Sequence, residues 1–145
     1  MGHGIAQVSA MAGHDVRLRD IDETVVTDGL TTIESNLEAG IERDKLTQTE
    51  AEATLARVSG TTSLETAVTD ADIVIEAVPE DIDIKHETVA EVESHVGQDT
   101  LVCSNTSSLS LTDIASALER PERAIGLHFF NPVHIMPIVE VVVPA

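Results

Sequence analysis

Short runs rich in β-branched residues alternate along this chain with segments of helical periodicity, and this alternation restricts the folds that the chain can adopt. The run DIVIEAV at residues 72–78 is short enough to be a buried strand, and Pro79 ends it. Apolar residues recur at spacings of three and four from Val26 to Ile41, which predicts a helix with one apolar face. Strands that alternate with helices indicate an α/β fold with a parallel sheet covered on both faces.

Local signals place the other predicted elements. Gly13 follows a small, apolar segment and predicts the end of a helix over residues 2–12. Asp22 is expected to cap the helix that carries the apolar stripe, and Thr47 and Glu50 have the pattern of a capping box. The further predicted helices cover residues 48–57, 82–96 and 111–118. The further predicted strands cover residues 16–20, 58–62, 101–104, 124–127 and 138–143.

The charge balance of the chain is strongly acidic. Its 145 residues include 26 acidic and 8 basic residues, for a formal net charge of −18. Nucleic acid and anionic membranes are therefore not expected as partners. The only lysines are Lys45 and Lys85, and the acids are spread over predicted helix surfaces, as in proteins of salt-loving microbes, where high salt screens the repulsion. The alternative is an acidic protein that works at ordinary salt.

Other simple features bear on location and on metal binding. No apolar run approaches the roughly 18 residues of a membrane span, and no basic-then-apolar leader is visible, so we expect a cytoplasmic protein with no membrane partner. Cys103 is the only cysteine, so that no internal disulfide is possible. The six histidines and Cys103 show no paired ligand spacing, and we therefore predict no metal site.

Polar residues are concentrated where the predicted strands end. In a right-handed doubly wound sheet, ligands bind beyond the carboxyl ends of the strands. Asp20, Glu80 and the segments 105–108 and 128–131 all follow or end predicted strands. The sequence therefore predicts a ligand site along this edge of the sheet.

The first residues, MGHGIAQ, match only part of the dinucleotide fingerprint G-x-G-x-x-G, which joins a strand to a helix. If Gly2 were the first glycine, the third would fall on Gln7, so this register fails. If Gly2 is the third glycine, the ribose-binding acid expected about 20 residues later falls near Asp20. The sequence then predicts a doubly wound parallel sheet that lacks its first strand and most of the glycine-rich loop. The strands at 16–20 and 73–77 would border the missing strand, and a start codon at an internal Met, a fragment and a natural truncation all remain open as explanations.

Four segments of the chain together resemble the NAD-binding domain of 3-hydroxyacyl-CoA dehydrogenases, including the 3-hydroxybutyryl-CoA type. They are MGHGIAQVSAMAGHDVRLRDI, IVIEAVPEDIDIKHE, SNTSSLSLTDIA and GLHFFNPVHIMPIVEVV, and SNTSSL and HFFNPV are highly specific. The resemblance implies a Rossmann-like fold, NAD as cofactor, and oxidation of a 3-hydroxyacyl-CoA to the 3-oxoacyl-CoA. It also implies that residues 1–145 are an incomplete NAD-binding domain, without the helical C-terminal domain through which family members bind the acyl chain and form homodimers.

The resemblance assigns catalytic roles to four residues. It makes His128 of HFFNP the general base and Glu140 of IVEVV its partner, and it places Ser107 and Asn131 in contact with substrate and cofactor. This chemistry suits histidine, because oxidation of a secondary alcohol requires a base whose pKa lies near neutrality. A carboxylate on the other ring nitrogen fixes the tautomer and stabilises the imidazolium.

The resemblance also implies residues that bind the cofactor and the CoA nucleotide. Besides Ser107 and Asn131, the residues that it assigns to the NAD site are Gly2, Asp20, Glu80 and Lys85. Asn36 and Arg43 lie on the helix that meets the CoA nucleotide in this family, in a segment without a sharp motif.

Several of these residues also have simpler explanations. His128 would otherwise be a core histidine, Glu140 a solvated strand acid, Lys85 a surface lysine and Ser107 a turn hydroxyl. An acid inside IVEVV is costly to bury without a partner, which favours its pairing with His128. Asp20 would otherwise cap a helix; as a ribose ligand it would repel a 2′-phosphate and so favours NAD over NADP.

Two alternative functions remain open. One is another dehydrogenase on the same fold, against which SNTSSL and HFFNP argue. The other is an inactive truncated copy, or a non-enzymatic binding or structural protein of the same family. The retained site residues favour an enzymatic ancestry but do not establish activity.

Overall fold

The computed structural model describes residues 1–145, which divide into two compact units. The first unit contains residues 1–67 and 131–135, and the second contains residues 68–130 and 136–145. The helices are α1 (Gly2–Met11), α2 (Glu23–Glu42), α3 (Gln48–Ala56), α4 (Leu64–Val68), α5 (Ile82–His95) and α6 (Leu111–Ala115). The strands are β1 (Val16–Arg19), β2 (Val58–Thr61), β3 (Ile73–Glu76), β4 (Leu101–Ser104), β5 (Ala124–Phe129) and β6 (Val139–Val142). None of the helices has the length and apolar character needed to cross a membrane.

The first unit is built on two parallel strands, β1 and β2. Val16 lies opposite Val58 in their register. The helices α1, α2 and α3 contact one another, and each of them also contacts a strand of this sheet. The core of the unit consists of buried residues from the three helices, namely Ala6, Ile33, Leu37 and Ala51.

The helices of the first unit begin and end at the signals in the sequence. The side chain of Asp22 accepts a hydrogen bond from the backbone N–H of Thr24 and begins α2. Thr47 and Glu50 make both hydrogen bonds of the capping box that begins α3. Gly13, just after α1, has a φ of 101°, a conformation that favours glycine. All three predictions are confirmed.

The second unit is built on a four-stranded sheet with the order β3-β4-β5-β6. The first three strands are parallel, and β6 runs antiparallel to β5. Helix α5 contacts β3 and β4, and α6 contacts α5 and β5. Buried apolar residues of this unit come from α5, β4 and α6 and include Val89, Val92, Val102, Cys103, Ile114 and Ala115.

The predicted α/β class with parallel strands is confirmed, but the strands form two separate sheets, and the antiparallel direction of β6 was not predicted. β1 pairs only with β2, and β3 pairs only with β4, so both are edge strands, as the hypothesis of a missing first strand expects. That hypothesis stays a prediction. The helix predicted over 111–118 ends earlier, at Ala115, and the strand predicted over 124–127 extends to Phe129, where it still pairs with β6.

Candidate active site

Several of the polar residues singled out in the sequence lie at one edge of the second unit's sheet. The parallel strands β3, β4 and β5 present their carboxyl ends on the same side, so the residues that follow them share this edge. Glu76 and Ser104 end β3 and β4, and His128 is the penultimate residue of β5. The side-chain oxygen of Asn105 accepts a hydrogen bond from the backbone N–H of Phe129 at 2.8 Å, which ties the end of β5 to the loop after β4.

Lys85 lies at the centre of a buried network at this edge. Its side chain, on the first turn of α5, is only 1% exposed. The ammonium donates hydrogen bonds to both carboxylate oxygens of Glu76, at 3.0 and 2.9 Å, and to the carbonyl oxygen of Val78 at 3.2 Å. It also lies 3.2 Å from Oε1 of Glu80. The alternative explanation, a surface lysine, is therefore wrong.

Glu80 joins this network to the loop that carries Ser107. Its Oε2 accepts hydrogen bonds from the hydroxyls of Thr106 at 2.8 Å and Ser108 at 3.0 Å. Burial on its own would raise the pKa of Glu80, but the hydrogen bonds from Thr106, Ser108 and Lys85 outweigh it, so that the pKa of this carboxyl lies below its ordinary value. Ser107 itself is exposed between its two anchored neighbours.

His128 and Glu140 face each other across the antiparallel pair β5 and β6. They are direct partners in the strand register, and Nδ1 of His128 lies 3.9 Å from Oε1 of Glu140. This distance is longer than a hydrogen bond and lies at the limit of an ion pair. The ring of His128 packs against that of Phe130, with 4.6 Å between ring centroids.

The exposure of these two side chains modifies the argument made from the sequence. The His128 side chain is 23% exposed, more than a core histidine would be. The Glu140 side chain is 56% exposed, so burial does not force it to find a partner. The alternative description of Glu140 as a solvated strand acid thus fits its surroundings, although its position opposite His128 leaves the pairing available.

The first unit contains the other predicted site residues. Asp20 is half-buried directly after β1, and its Oδ1 accepts a hydrogen bond from the backbone N–H of Asp22 at 3.1 Å. Gly2 begins α1, where no side chain caps the first turn. The neighbouring Arg17 and Arg19 donate hydrogen bonds from their guanidinium groups to backbone carbonyls in the segment after β2.

A cavity of about 110 Å³ in the first unit brings together two residues that the resemblance assigns to substrate binding. Asn36 and Asn131 both line it, and Asn36 is oriented by a hydrogen bond of 3.0 Å from its side-chain nitrogen to Oε1 of Gln7. Arg43 does not line this cavity; it is exposed at the end of α2. His3 lies on the cavity wall, and burial lowers its pKa, as do the charges of the amino terminus and His134.

Two residues of the buried Lys85 network, Glu76 and Ser104, were not predicted from the sequence. Glu76 is the acid inside DIVIEAV, and it is 5% exposed in the structure. Apart from its first residue, the run DIVIEAV is otherwise apolar and was expected to be buried. Because a buried carboxylate requires partners, the acid inside this run could have been recognised as part of a polar network. Its partner Lys85 is nine residues away on the next helix, a relation that only the folded chain shows.

The residues present fit a dinucleotide cofactor. In the first unit, the uncapped first turn of α1 offers backbone N–H groups to an anion, and the Asp20 carboxylate follows β1, where an acid binds a ribose in dinucleotide sites. Arg17 and Arg19, which would favour a 2′-phosphate, are already bound to carbonyls. The parallel strands, the flanking helices and this donor set define an α/β domain of the Rossmann-like, dinucleotide-binding class.

More narrowly, the chain belongs to the family described as 3-hydroxyacyl-CoA dehydrogenase, NAD binding domain, which matches residues 1–145. The resemblance inferred from the sequence is thereby confirmed, and so are the fold class and NAD as the cofactor of the domain.

Curated relatives and solved structures agree with this assignment. The fatty acid oxidation complex subunit alpha of Acinetobacter baumannii is 42% identical over 142 residues, which are 98% of this chain and 20% of that protein. A crystal structure of (S)-3-hydroxybutyryl-CoA dehydrogenase from Ralstonia eutropha matches with a TM-score of 0.93 at 41% identity, covering 97% of this chain and 50% of that one. For 3-hydroxybutyryl-CoA dehydrogenase from Escherichia coli the TM-score is 0.94 at 41% identity, over 97% of this chain and 30% of that one. The chain thus spans about a fifth of its curated relatives.

Proposed function

We propose that this domain supplies the NAD site and the general base for the oxidation of 3-hydroxyacyl-CoA to 3-oxoacyl-CoA. The observation that carries the proposal is the position of His128. It lies at the carboxyl edge of a parallel sheet, partly exposed, with the carboxylate of Glu140 opposite its Nδ1. The names of the relatives and their placement in fatty acid oxidation support the same reaction class.

The two ring nitrogens of His128 have different surroundings. Because Nδ1 faces Glu140, Nε2 is the atom available to the substrate hydroxyl. In the oxidation, Nε2 takes the proton of the C3 hydroxyl, and the C3–O bond becomes a carbonyl as the hydride leaves C3. NAD, when bound, supplies the acceptor for that hydride. The carboxylate of Glu140 stabilises the imidazolium that results, and in the reverse direction the imidazolium returns its proton to the carbonyl oxygen.

The remaining residues are proposed to bind rather than to react. Asp20 would hold the ribose hydroxyls, and the first turn of α1 at Gly2 would hold the pyrophosphate. Glu80 would contact NAD directly, with Ser107 beside it on the loop that Glu80 anchors. Asn36 and Asn131, which share a cavity wall, would contact the acyl-CoA. Arg43 belongs to this set only through the resemblance. We also propose that the substrate is an acyl-CoA and that the complete enzyme is a homodimer.

The substitution His128→Gln tests the proposal in the complete polypeptide that contains these residues. The measurement is NADH-dependent reduction of acetoacetyl-CoA in molar KCl, together with the dissociation constant of NADH. We expect kcat to fall by about two orders of magnitude or more, the typical contribution of a positioned acid or base, with NADH binding nearly unchanged. His14→Gln is the matched control, because His14 is exposed between α1 and β1 and has no proposed role.

Two results would contradict the proposal. Unchanged turnover of the His128→Gln variant would remove His128 from the mechanism. A folded wild type that binds NADH but reduces no acyl-CoA would favour the non-enzymatic alternative.

A further inference from the structure

We infer that Glu76 is a positioning residue of the cofactor site: it fixes Lys85, and through Lys85 it fixes Glu80 and the loop of Ser107. The inference rests on the proposed function in one respect, that Glu80 and Ser107 face the cofactor. The supporting observation is a continuous set of hydrogen bonds from the end of β3 to that loop.

Both carboxylate oxygens of Glu76 are held by donors. Oε1 accepts from the ammonium of Lys85 and from the hydroxyl of Ser104, and Oε2 accepts from Lys85 and from the backbone N–H of Val78. The side chain of Glu76 is 3% exposed, so no hydrogen bond to bulk water replaces these. Glu76 therefore joins β3, β4 and α5 at the carboxyl edge of the sheet.

No part of the Lys85 side chain is available to bind a ligand directly. Its three N–H bonds are shared among four protein oxygens, those of the Glu76 carboxylate, Val78 and Glu80. Since its side chain is almost completely buried, any effect of Lys85 on the cofactor passes through Glu80. Lys85 thus belongs to the NAD site indirectly, as the group that orients an acid.

Glu80 is the point where this network reaches the surface. Its side chain is 40% exposed, with Oε1 held by Lys85 and Oε2 held by the hydroxyls of Thr106 and Ser108. The two hydroxyls flank Ser107 in the sequence, so the Glu80 carboxylate sets the conformation of the loop on both sides of that residue. A displacement of Lys85 therefore moves both Glu80 and Ser107.

The substitution Glu76→Gln breaks the network at its origin while it preserves the size of the side chain. All the groups around the two carboxylate oxygens are hydrogen-bond donors. The amide nitrogen of Gln is also a donor, so it cannot replace the carboxylate oxygen that accepted from them. Lys85 then retains a single carboxylate partner, Glu80, and we expect the pair to shift. The dissociation constant of NADH should rise about tenfold or more, as expected for lost hydrogen bonds to charged groups, while kcat at saturating cofactor changes less than about threefold.

A double variant separates positioning from stability. In Glu76→Gln/Lys85→Met no buried charge is left unpaired, and the unbranched methionine occupies the space of the lysine stem. The melting temperature should return most of the way to that of the wild type. The NADH dissociation constant should remain raised, because Oε1 of Glu80 then has no ammonium partner and only Thr106 and Ser108 still hold the carboxylate.

The matched control is Glu93→Gln. Glu93 is also a largely buried acid of α5, but it lies in the helix's last turn and binds the backbone of Glu119 and Arg120. This variant should lower the melting temperature and leave the NADH dissociation constant unchanged.

The experiment measures melting temperature, NADH binding by titration, and acetoacetyl-CoA turnover on the complete polypeptide. Recovery of both stability and NADH affinity in the double variant, or unchanged affinity in Glu76→Gln, would overturn the inference. Wild-type protein that binds NADH without turning over acyl-CoA would refute the proposed reaction alone, because binding still decides the role of Glu76. Wild-type protein that binds no NADH would refute both.

Discussion

Replacement of Gly4 by alanine tests how closely α1 packs against the segment 131–135 within the first unit. An added Cβ at Gly4 would lie 2.9 Å from Cβ and 3.1 Å from Cγ2 of Val133, closer than carbon atoms approach without strain. The atom in the way is the Cβ of a buried, β-branched residue, which is fixed to the backbone and has no rotamer that moves it aside. Relief therefore requires movement of α1 or of the segment that carries Asn131.

The expected cost follows from two opposing terms. Overpacking of a close contact typically costs about 1–3 kcal/mol. Alanine in place of glycine within a helix recovers about 0.5–1 kcal/mol of helix propensity. The net loss in the free energy of unfolding is about 1 kcal/mol, which corresponds to a fall in melting temperature of about 3–5 °C for a domain of this size.

Gly2→Ala is the matched control in the same helix. There, the added Cβ would lie 3.8 Å from Cδ1 of Leu18, an ordinary van der Waals contact. Thermal unfolding followed by circular dichroism should show a loss for Gly4→Ala and none for Gly2→Ala. Equal melting temperatures for Gly4→Ala and the wild type would refute the close packing of α1 on Val133.

Two further predictions concern the charges of the protein. With a net charge of −18 on 145 residues, the melting temperature should rise between low and molar KCl, because the Debye length shrinks to about 3 Å at 1 M; a melting temperature that is flat with salt would contradict the halophilic interpretation. Glu80, whose pKa is lowered in the folded state, contributes stability that is present above its ordinary value of 4.5 and is lost as the pH falls through the lower folded value. Denaturant unfolding as a function of pH should therefore show the wild type more stable than Glu80→Gln above that window, with the difference disappearing below it, whereas a constant difference would argue against the pKa shift.

Local sequence signals were sufficient to predict most of the fold. The caps at Asp22 and Thr47 and the glycine at Gly13 act within a few residues of themselves, so the sequence alone locates the helix ends that they determine. Helix α4 was not predicted, since its five residues are too few to show a helical period. The antiparallel direction of β6 depends on pairing across a connection of nine residues, which no local pattern specifies.

The candidate site likewise has parts that could be predicted from the sequence and parts that could not. The motif around His128 is contiguous and was recognised, and Glu140 falls opposite it in the strand register. The exposure of Glu140 was not predictable, because IVEVV has the same appearance in a buried strand and at an open sheet edge. The buried role of Lys85 depends on Glu76 and on packing of α5 against β3, which is a tertiary property.

The pairing of His128 with Glu140 across two strands makes the proposed chemistry depend on register rather than on loop length. Residues 130–138 connect β5 to β6, and an insertion or deletion there leaves the pair intact as long as the strands keep their alignment. A slip of a single residue in β6 would instead place Val139 or Val141 opposite the imidazole and turn the carboxylate to the other face of the sheet. The pair therefore constrains how β6 aligns with β5 and not the number of residues between the two strands. A shift of two residues would keep each side chain on its face of the sheet but would move Glu140 away from His128.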